Sequence, residues 1–388
     1  MLFQFNQIVN SKDYFSMFVL INKTQFKLNW TWEVIDKINI CMRLHDGIFK
    51  RRVLVSLQYV QVITTGGTIA SLPNESGDVS AQLSGEQLVK RLGIKENIKV
   101  KVTSSVTLGS YMFDYETLYQ VAVDVIVALE NKEVKGVVIT HGTDTMEETA
   151  YYLSLVTGHY SKPIILTGAQ LDASYSYSDG MKNLQDAICA AKDSRLKHYG
   201  PLIVFAGFIH AARDVKKVDT SALEGFDSPV WGPIGRVDHE QVMIHRKVIS
   251  QSFIHQPVVP TPVALIRLAI GMTGEEFYSM VQGYSGVVIE AFGRGNSHPT
   301  IPEKVEELIS NKIPVVITSR CAKGAVKPIY GNGGGKSLER VGAWFAGDLS
   351  GEKARLLLGV MLASKFSWIQ MKKIINSLND PLSNGITY

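Results

Sequence analysis

The chain has 388 residues, of which 45% are apolar and 20% charged, with a formal net charge of +4. Ordinary globular composition at this length points to two domains whose cores need no disulfide or metal staple. The excess charge sits in residues 1–58, with eight Lys/Arg against four Asp/Glu; the remainder is balanced, which excludes the basic footprint of a nucleic-acid binder.

Within the first 58 residues, "YFSMFVLI" (14–21) is too short to span a bilayer and is followed by no small-residue cleavage site. We read 1–58 as an N-terminal extension without an assigned role, neither signal peptide nor membrane anchor. From residue 59 the pattern alternates. "YVQVITT" (59–65) predicts a buried strand, "SGEQLVKRLG" (84–93) a helix starting at Ser84, and "IKVKVTSSV" (98–106) a strand. Residues 114–131 follow as a helix with Asp114 as N-cap, then the strand "VKGVVIT" (134–140). "TMEETAYYLSLV" (145–156) predicts a helix with a capping box of Thr145 and Glu148. A strand at 162–168, a helix at 180–193 and a strand at 200–207 complete a domain over 59–245. Apolar strands alternating with helices imply a mostly parallel sheet covered on both faces.

Three prolines near the end of 246–262 mark a linker. A second α/β domain over 263–388 then shows strands at 263–271, 285–293 and 313–320, and helices at 275–283, 301–311 and 351–364. Cys41, Cys189 and Cys321 are scattered, with no CxxC and no His/Cys cluster. No metal site is expected, and the sparse, odd count suits a reducing, cytoplasmic compartment. "GNGGGKS" (331–337) is not a phosphate loop, because the position of its first glycine holds Tyr330.

Ligands of open parallel sheets gather where strands end and helices begin. Two strand ends carry chemistry. In "ITTGGTIAS", Gly66 and Gly67 permit close backbone approach and present Thr68, whose hydroxyl is a nucleophile once a base takes its proton. In "VVITHGTDTMEETA" (137–150), Gly142, Thr143 and Asp144 precede a helix N-terminus that favours anions. His141 is read as structural.

Together "TGGTIA" and "HGTDTMEETA" resemble the two signature motifs of the bacterial L-asparaginase family. "TGAQ" (167–170), "DGMKNLQDA" (179–187), "ARDVKK" (212–217) and "FGRGNS" (292–297) fall in the family's order, so the resemblance runs from about residue 59 to the C-terminus. It implies a two-domain fold: a larger N-terminal domain on a mostly parallel sheet and a smaller flavodoxin-like C-terminal domain. It implies hydrolysis of L-asparagine, with L-glutamine as a second substrate to test, without metal or organic cofactor, in a homotetramer built as a dimer of dimers. The family's nucleophile falls on Thr68. Its second threonine, aspartate and lysine fall on Thr143, Asp144 and Lys217, with Lys216 facing away. Ser110 matches the serine that holds the substrate carboxylate. Gly67, Gly142, Ala169 and Asn296 complete the substrate-binding set, with an N–H near Ala169 as an oxyanion donor.

Two features depart from the pattern. Residues 71–88, a Gly/Ser/Pro/Asn-rich lid, carry no tyrosine, whereas many relatives have one there. The stretch 323–337 holds no acid to match the glutamate that a neighbouring protomer supplies in many relatives. Three functions therefore stay open: an asparaginase, an ammonia-supplying component of a tRNA-dependent amidotransferase, and a non-catalytic amino-acid binder.

Overall fold

The structure is a computed structural model that describes residues 58–92, 99–248 and 254–379. Residues 1–57 of the extension, Cys41 and residues 249–253 of the linker lie outside the described residues.

In chain order the first domain contains β1 (Tyr59–Gly66), a hairpin of β2 (Ser71–Pro73) and β3 (Val79–Ala81), α1 (Gly85–Arg91), β4 (Val100–Leu108), α2 (Tyr115–Glu130), β5 (Val134–Thr140), α3 (Met146–Thr157), β6 (Ile164–Thr167), α4 (Gly180–Lys192), β7 (Pro201–Phe205), β8 (Phe208–Ala211), β9 (Lys216–Lys217), β10 (Phe226–Asp227), β11 (Gly235–Asp238) and β12 (Gln241–Ile244). Eight strands form one sheet in the order β12-β11-β8-β7-β6-β5-β1-β4. β4, β1, β5, β6 and β7 are parallel. β8, β11 and β12 add an antiparallel edge. That edge comes from a stretch for which the sequence pattern suggested no element. Its strands are four residues long and carry Arg, Asp, His and Gln among the apolar positions, too little alternation to stand out.

Side chains alternate across the sheet. Tyr59 and Ile63 of β1, Ile139 of β5 and Leu166 of β6 pack under α2 and α3, while Val60, Val62, Val138 and Ile165 pack under α1 and α4. Burial on both faces is why these strands read as continuous apolar runs. β1 and β5 are neighbours, yet the helices that follow them, α1 and α3, lie on opposite faces. The chain thus parts above the carboxyl ends of these two strands and opens a crevice there.

The helix starts mostly follow local chemistry. Ser84 and Gln87 form a capping box on α1, and Asp114 accepts from the Thr117 N–H on α2. The box expected from Thr145 and Glu148 does not form. Thr145 is the N-cap of α3, but its hydroxyl donates to the Ser110 carbonyl at 2.9 Å instead of accepting from the helix. A tertiary acceptor has displaced the local one.

The second domain contains β13 (Ala264–Arg267), α5 (Gly274–Met280), β14 (Val287–Ala291), α6 (Ile301–Ser310), β15 (Val315–Ser319), α7 (Gly335–Arg340), β16 (Trp344–Phe345), α8 (Gly351–Ala363) and α9 (Trp368–Ser377). Its four strands are all parallel, in the order β13-β14-β15-β16. α9 is started by a capping box of Ser367 and Gln370. α8 joins the domains: Leu356, Leu357 and Val360 belong to the same core as Tyr151, Tyr152 and Leu155 of α3. Charged contacts reinforce the junction, with Arg213 2.5 Å from Asp348 and Lys216 3.4 Å from Glu352. Among the described residues no helix is long and apolar enough to cross a membrane.

Candidate active site

Backbone crowding sets the geometry at the end of β1. Gly67 has φ 77° and ψ 177°, a conformation open essentially to glycine alone. A Cβ on Gly67 would lie 2.4 Å from the Gly142 nitrogen, and one on Gly142 would lie 2.6 Å from the Ser110 hydroxyl oxygen. The ends of β1 and β5 therefore meet backbone to backbone, and the Ser110 side chain from the turn after β4 packs directly on Gly142. Thr68 and Thr143, each next in sequence to one of these glycines, sit on abutting segments.

The turn that carries Thr68 is pinned on several sides. The Gly67 N–H donates to the Leu108 carbonyl at 3.1 Å, and the Ser71 hydroxyl donates to the Gly67 carbonyl at 2.9 Å. Two residues before Gly67, on β1, the Thr65 hydroxyl donates to the Thr140 carbonyl at 2.9 Å. Thr68 opens a short 3₁₀ turn, Thr68–Ala70, and is half-buried. Among the described residues its hydroxyl has no hydrogen-bond partner, and no backbone carbonyl accepts from the N–H of Thr68 or Thr143. An unoccupied hydroxyl thus stands beside free backbone donors.

Lys217 reaches this crevice from β9. Its Nζ donates to the Thr143 hydroxyl at 2.9 Å and to Asp144 Oδ1 at 2.7 Å. Thr143 is buried, whereas the Asp144 side chain is about half exposed. Lys216 points the other way, to Glu352 of α8. Alternation along a two-residue strand thus separates the two lysines. The Thr143 hydroxyl also faces Gln170 Oε1 at 3.3 Å. A hydroxyl, an amine and a carboxylate in contact form a proton path that can serve a nucleophile alongside.

Ser110 is 2% exposed, and its hydroxyl has no partner in the protein. A buried, unpaired hydroxyl is costly and leaves a hydrogen-bonding group free. Ala169 lies two residues beyond the end of β6, fully buried. The turn around it is fixed by Asp179, which accepts from the N–H groups of Gln170 at 3.1 Å and Leu171 at 3.0 Å, and by Asn183, which donates to the Gly168 carbonyl at 3.1 Å. Among the described residues the Ala169 N–H has no backbone acceptor.

His141 ties the turn before Thr143 to the start of α3. Its Nδ1 lies 2.7 Å from the Gly142 carbonyl, so Nδ1 carries the proton, and its Nε2 accepts from the Thr149 hydroxyl at 2.9 Å. Burial pushes its pKa down to about 4, so the ring is neutral at pH 7. Among the described residues no group of three or more His, Cys, Asp or Glu could hold a metal.

Thr143, Asp144, Lys217, Ser110, Gly67 and Gly142 are linked by the contacts above, Thr68 follows Gly67 directly in the chain, and Ala169 borders them through Gln170. Asn296 is not linked to them: its side chain accepts from the Gly335 N–H at 3.2 Å, at the start of α7. Sequence reasoning quoted Gln170, Asp179 and Asn183 within motifs but gave them no role. Their polar side chains at a strand end and a helix start were the available signal.

A free hydroxyl on a glycine-crowded strand end, next to a hydroxyl–amine–carboxylate chain, is an arrangement for nucleophilic acyl transfer. Residues 59–250 match the family model "Asparaginase, N-terminal" and residues 262–375 match "Glutaminase/Asparaginase C-terminal domain". The chain belongs to the asparaginase family of amidohydrolases. It is 33% identical to the L-asparaginase of Bacillus licheniformis over 79% of this chain and 95% of that protein. It is 31% identical to a glutamyl-tRNA(Gln) amidotransferase component of Methanopyrus kandleri over 79% of this chain and 70% of that one. Among solved structures it is similar to the thermostable L-asparaginase from Thermococcus kodakarensis, with a TM-score of 0.74, 27% identity, and coverage of 82% of this chain and 97% of that one.

Proposed function

We propose that the chain hydrolyses L-asparagine to L-aspartate and ammonia through an acyl-enzyme on Thr68. The observation that carries this reading is the chain of contacts from Thr143 to Lys217 to Asp144 beside the unoccupied Thr68 hydroxyl. The Thr68 oxygen attacks the carboxamide carbon. The departing nitrogen takes a proton and leaves as ammonia, and an aspartyl ester remains. Water then cleaves the ester, releasing aspartate and restoring the Thr68 hydroxyl. Thr143 and Lys217 relay the protons, and Asp144 holds the lysine in place. Free N–H groups at the strand ends, those of Thr68 and Ala169 among them, receive the charge that develops on the carbonyl oxygen; a donor of that kind contributes about 3–4 kcal/mol. Ser110 receives the substrate α-carboxylate.

The working assembly proposed is a homotetramer, a dimer of dimers, in the cytoplasm. The half-buried Cys189 and the exposed Cys321, both free, favour a reducing compartment. The similarity to an amidotransferase component keeps the second reading, ammonia supply to tRNA-linked glutamate, in play.

Ammonia release from L-asparagine and from L-glutamine, measured on wild type and Thr68→Ala, tests the reading. Turnover of asparagine that is abolished by Thr68→Ala is expected, with an ester adduct seen by mass spectrometry after rapid quench. A folded wild type inactive on both free amides would overturn it and favour the amidotransferase reading.

A further inference from the structure

Two buried, opposite charges lie next to the site and take no part in the reaction above. Lys353, in the first turn of α8, is 2% exposed. Its Nζ donates to the carbonyl of Arg213 at 3.1 Å and to that of Val215. Glu147, in the first turn of α3 and three residues after Asp144, has its Oε2 3.9 Å from the same Nζ.

These contacts fall on one edge of one segment. The other edge is taken by β10, where the Val218 N–H donates to the Gly225 carbonyl at 2.8 Å. Successive backbone groups of an extended segment point to alternate sides. The Val215 carbonyl therefore faces away from β10, toward the Lys353 ammonium, on an edge that has no neighbouring strand among the described residues.

We propose that Lys353 and Glu147 are positioning residues for Lys217: Lys353, from the second domain, grips the carbonyls of Arg213 and Val215, and Glu147, from the first, holds the Lys353 ammonium there, so that the Lys217 amine meets Thr143 and Asp144. Their burial is hard to explain by stability. Glu147 Oε2 has no hydrogen-bond partner. Burial pushes the Glu147 carboxyl up and the Lys353 amine down, so each charge is held at a cost. Buried ion pairs replaced by apolar groups often leave a fold as stable as before. Registry of the strand that carries the lysine is a role that an apolar pair would not perform. It also makes the catalytic geometry of the first domain depend on the second, through α8.

The proposal rests on the amide-hydrolysis reading for the role of Lys217, so the test has an arm independent of activity. Crystal structures of full-length wild type, Lys353→Met and the isosteric Glu147→Gln give the distance from Lys217 Nζ to the Thr143 hydroxyl. It is expected to lengthen from 2.9 Å beyond hydrogen-bond range in Lys353→Met, and by less in Glu147→Gln. Kinetically, Lys353→Met is expected to lower kcat about 100-fold with KM changed less than threefold, since misplacement of a reacting group by about 1 Å costs that much. Glu147→Gln should lower kcat about tenfold with the melting temperature unchanged or raised. A Lys217–Thr143 distance retained in a folded variant overturns the proposal whatever the activity. So does a kcat within twofold of wild type in either variant. If Lys353→Met does not fold, Glu147→Gln decides by the same two readouts. A wild type inactive on both amides would overturn the hydrolysis reading, and the distance measurement would still decide this one.

Discussion

Gly67→Ala isolates the close approach that sets Thr68 beside Thr143. The added Cβ would lie 2.4 Å from the Gly142 nitrogen and 2.6 Å from its Cα, and it would do so at φ +77°. Ordinary contact needs roughly 3.5 Å, so the two backbones must part by about 1 Å. The forced backbone conformation costs roughly 1–3 kcal/mol and the overpacking another 1–3 kcal/mol, or about 2–6 kcal/mol together. The displacement falls between the residues flanking Thr68 and Thr143, so the rate should fall at least 100-fold. Gly283→Ala is the matched control. Its φ is +83°, but its Cβ would meet nothing within 4 Å, so it carries only the conformational term. Ammonia release and thermal melting are measured on both. Gly67→Ala with kcat/KM within tenfold of wild type, and no less stable than Gly283→Ala, would refute the argument from crowding.

Three further expectations follow from the same geometry. Ser110→Ala removes a buried hydroxyl without a protein partner, so the melting temperature should hold or rise while KM increases about 10–100-fold, the worth of a hydrogen bond to a charged group; an unchanged KM would remove Ser110 from the substrate site. Lys217→Arg keeps a cation beside Asp144 but supplies a group that cannot accept a proton, and kcat should drop about 10²–10⁴-fold in a folded protein, read by the same ammonia assay. His141 and His210 are held neutral by burial, each with a pKa lowered to about 4. The unfolded chain binds protons on both from about pH 6.5 downward, so the stability they contribute is full at pH 7 and is lost as pH falls from 6.5 toward 4. The loss is about 2.5 kcal/mol each by pH 4.5. His210→Gln should flatten the fall in melting temperature over that window, and an unchanged slope would contradict the assignment.

The sequence by itself determined the local parts. Period-free apolar runs bounded by glycine named the parallel strands, because a strand buried on both faces has no polar face to show. "TGGT" and "HGTDT" named the two strand ends, since close backbone approach requires glycine and nucleophilic chemistry requires a hydroxyl beside a base. Lys217 was reached through resemblance alone; spacing could not choose between it and Lys216, and the pleat of β9 makes the distinction. The tertiary structure decided what depends on a distant partner. Thr145 looked like a capping residue, but the Ser110 carbonyl arrives from another strand end and takes its hydroxyl. The antiparallel edge of β8, β11 and β12 is short and polar, and its pairing rather than its composition makes it sheet. Lys353 drew no reading from the sequence beyond its place in a helix at 351–364, and only the packing of α8 on α3 brings it to the Arg213 and Val215 carbonyls. Propensity, capping and motif act over a few residues of chain, whereas the partner of a buried charge is chosen by whichever segment the folded core brings against it.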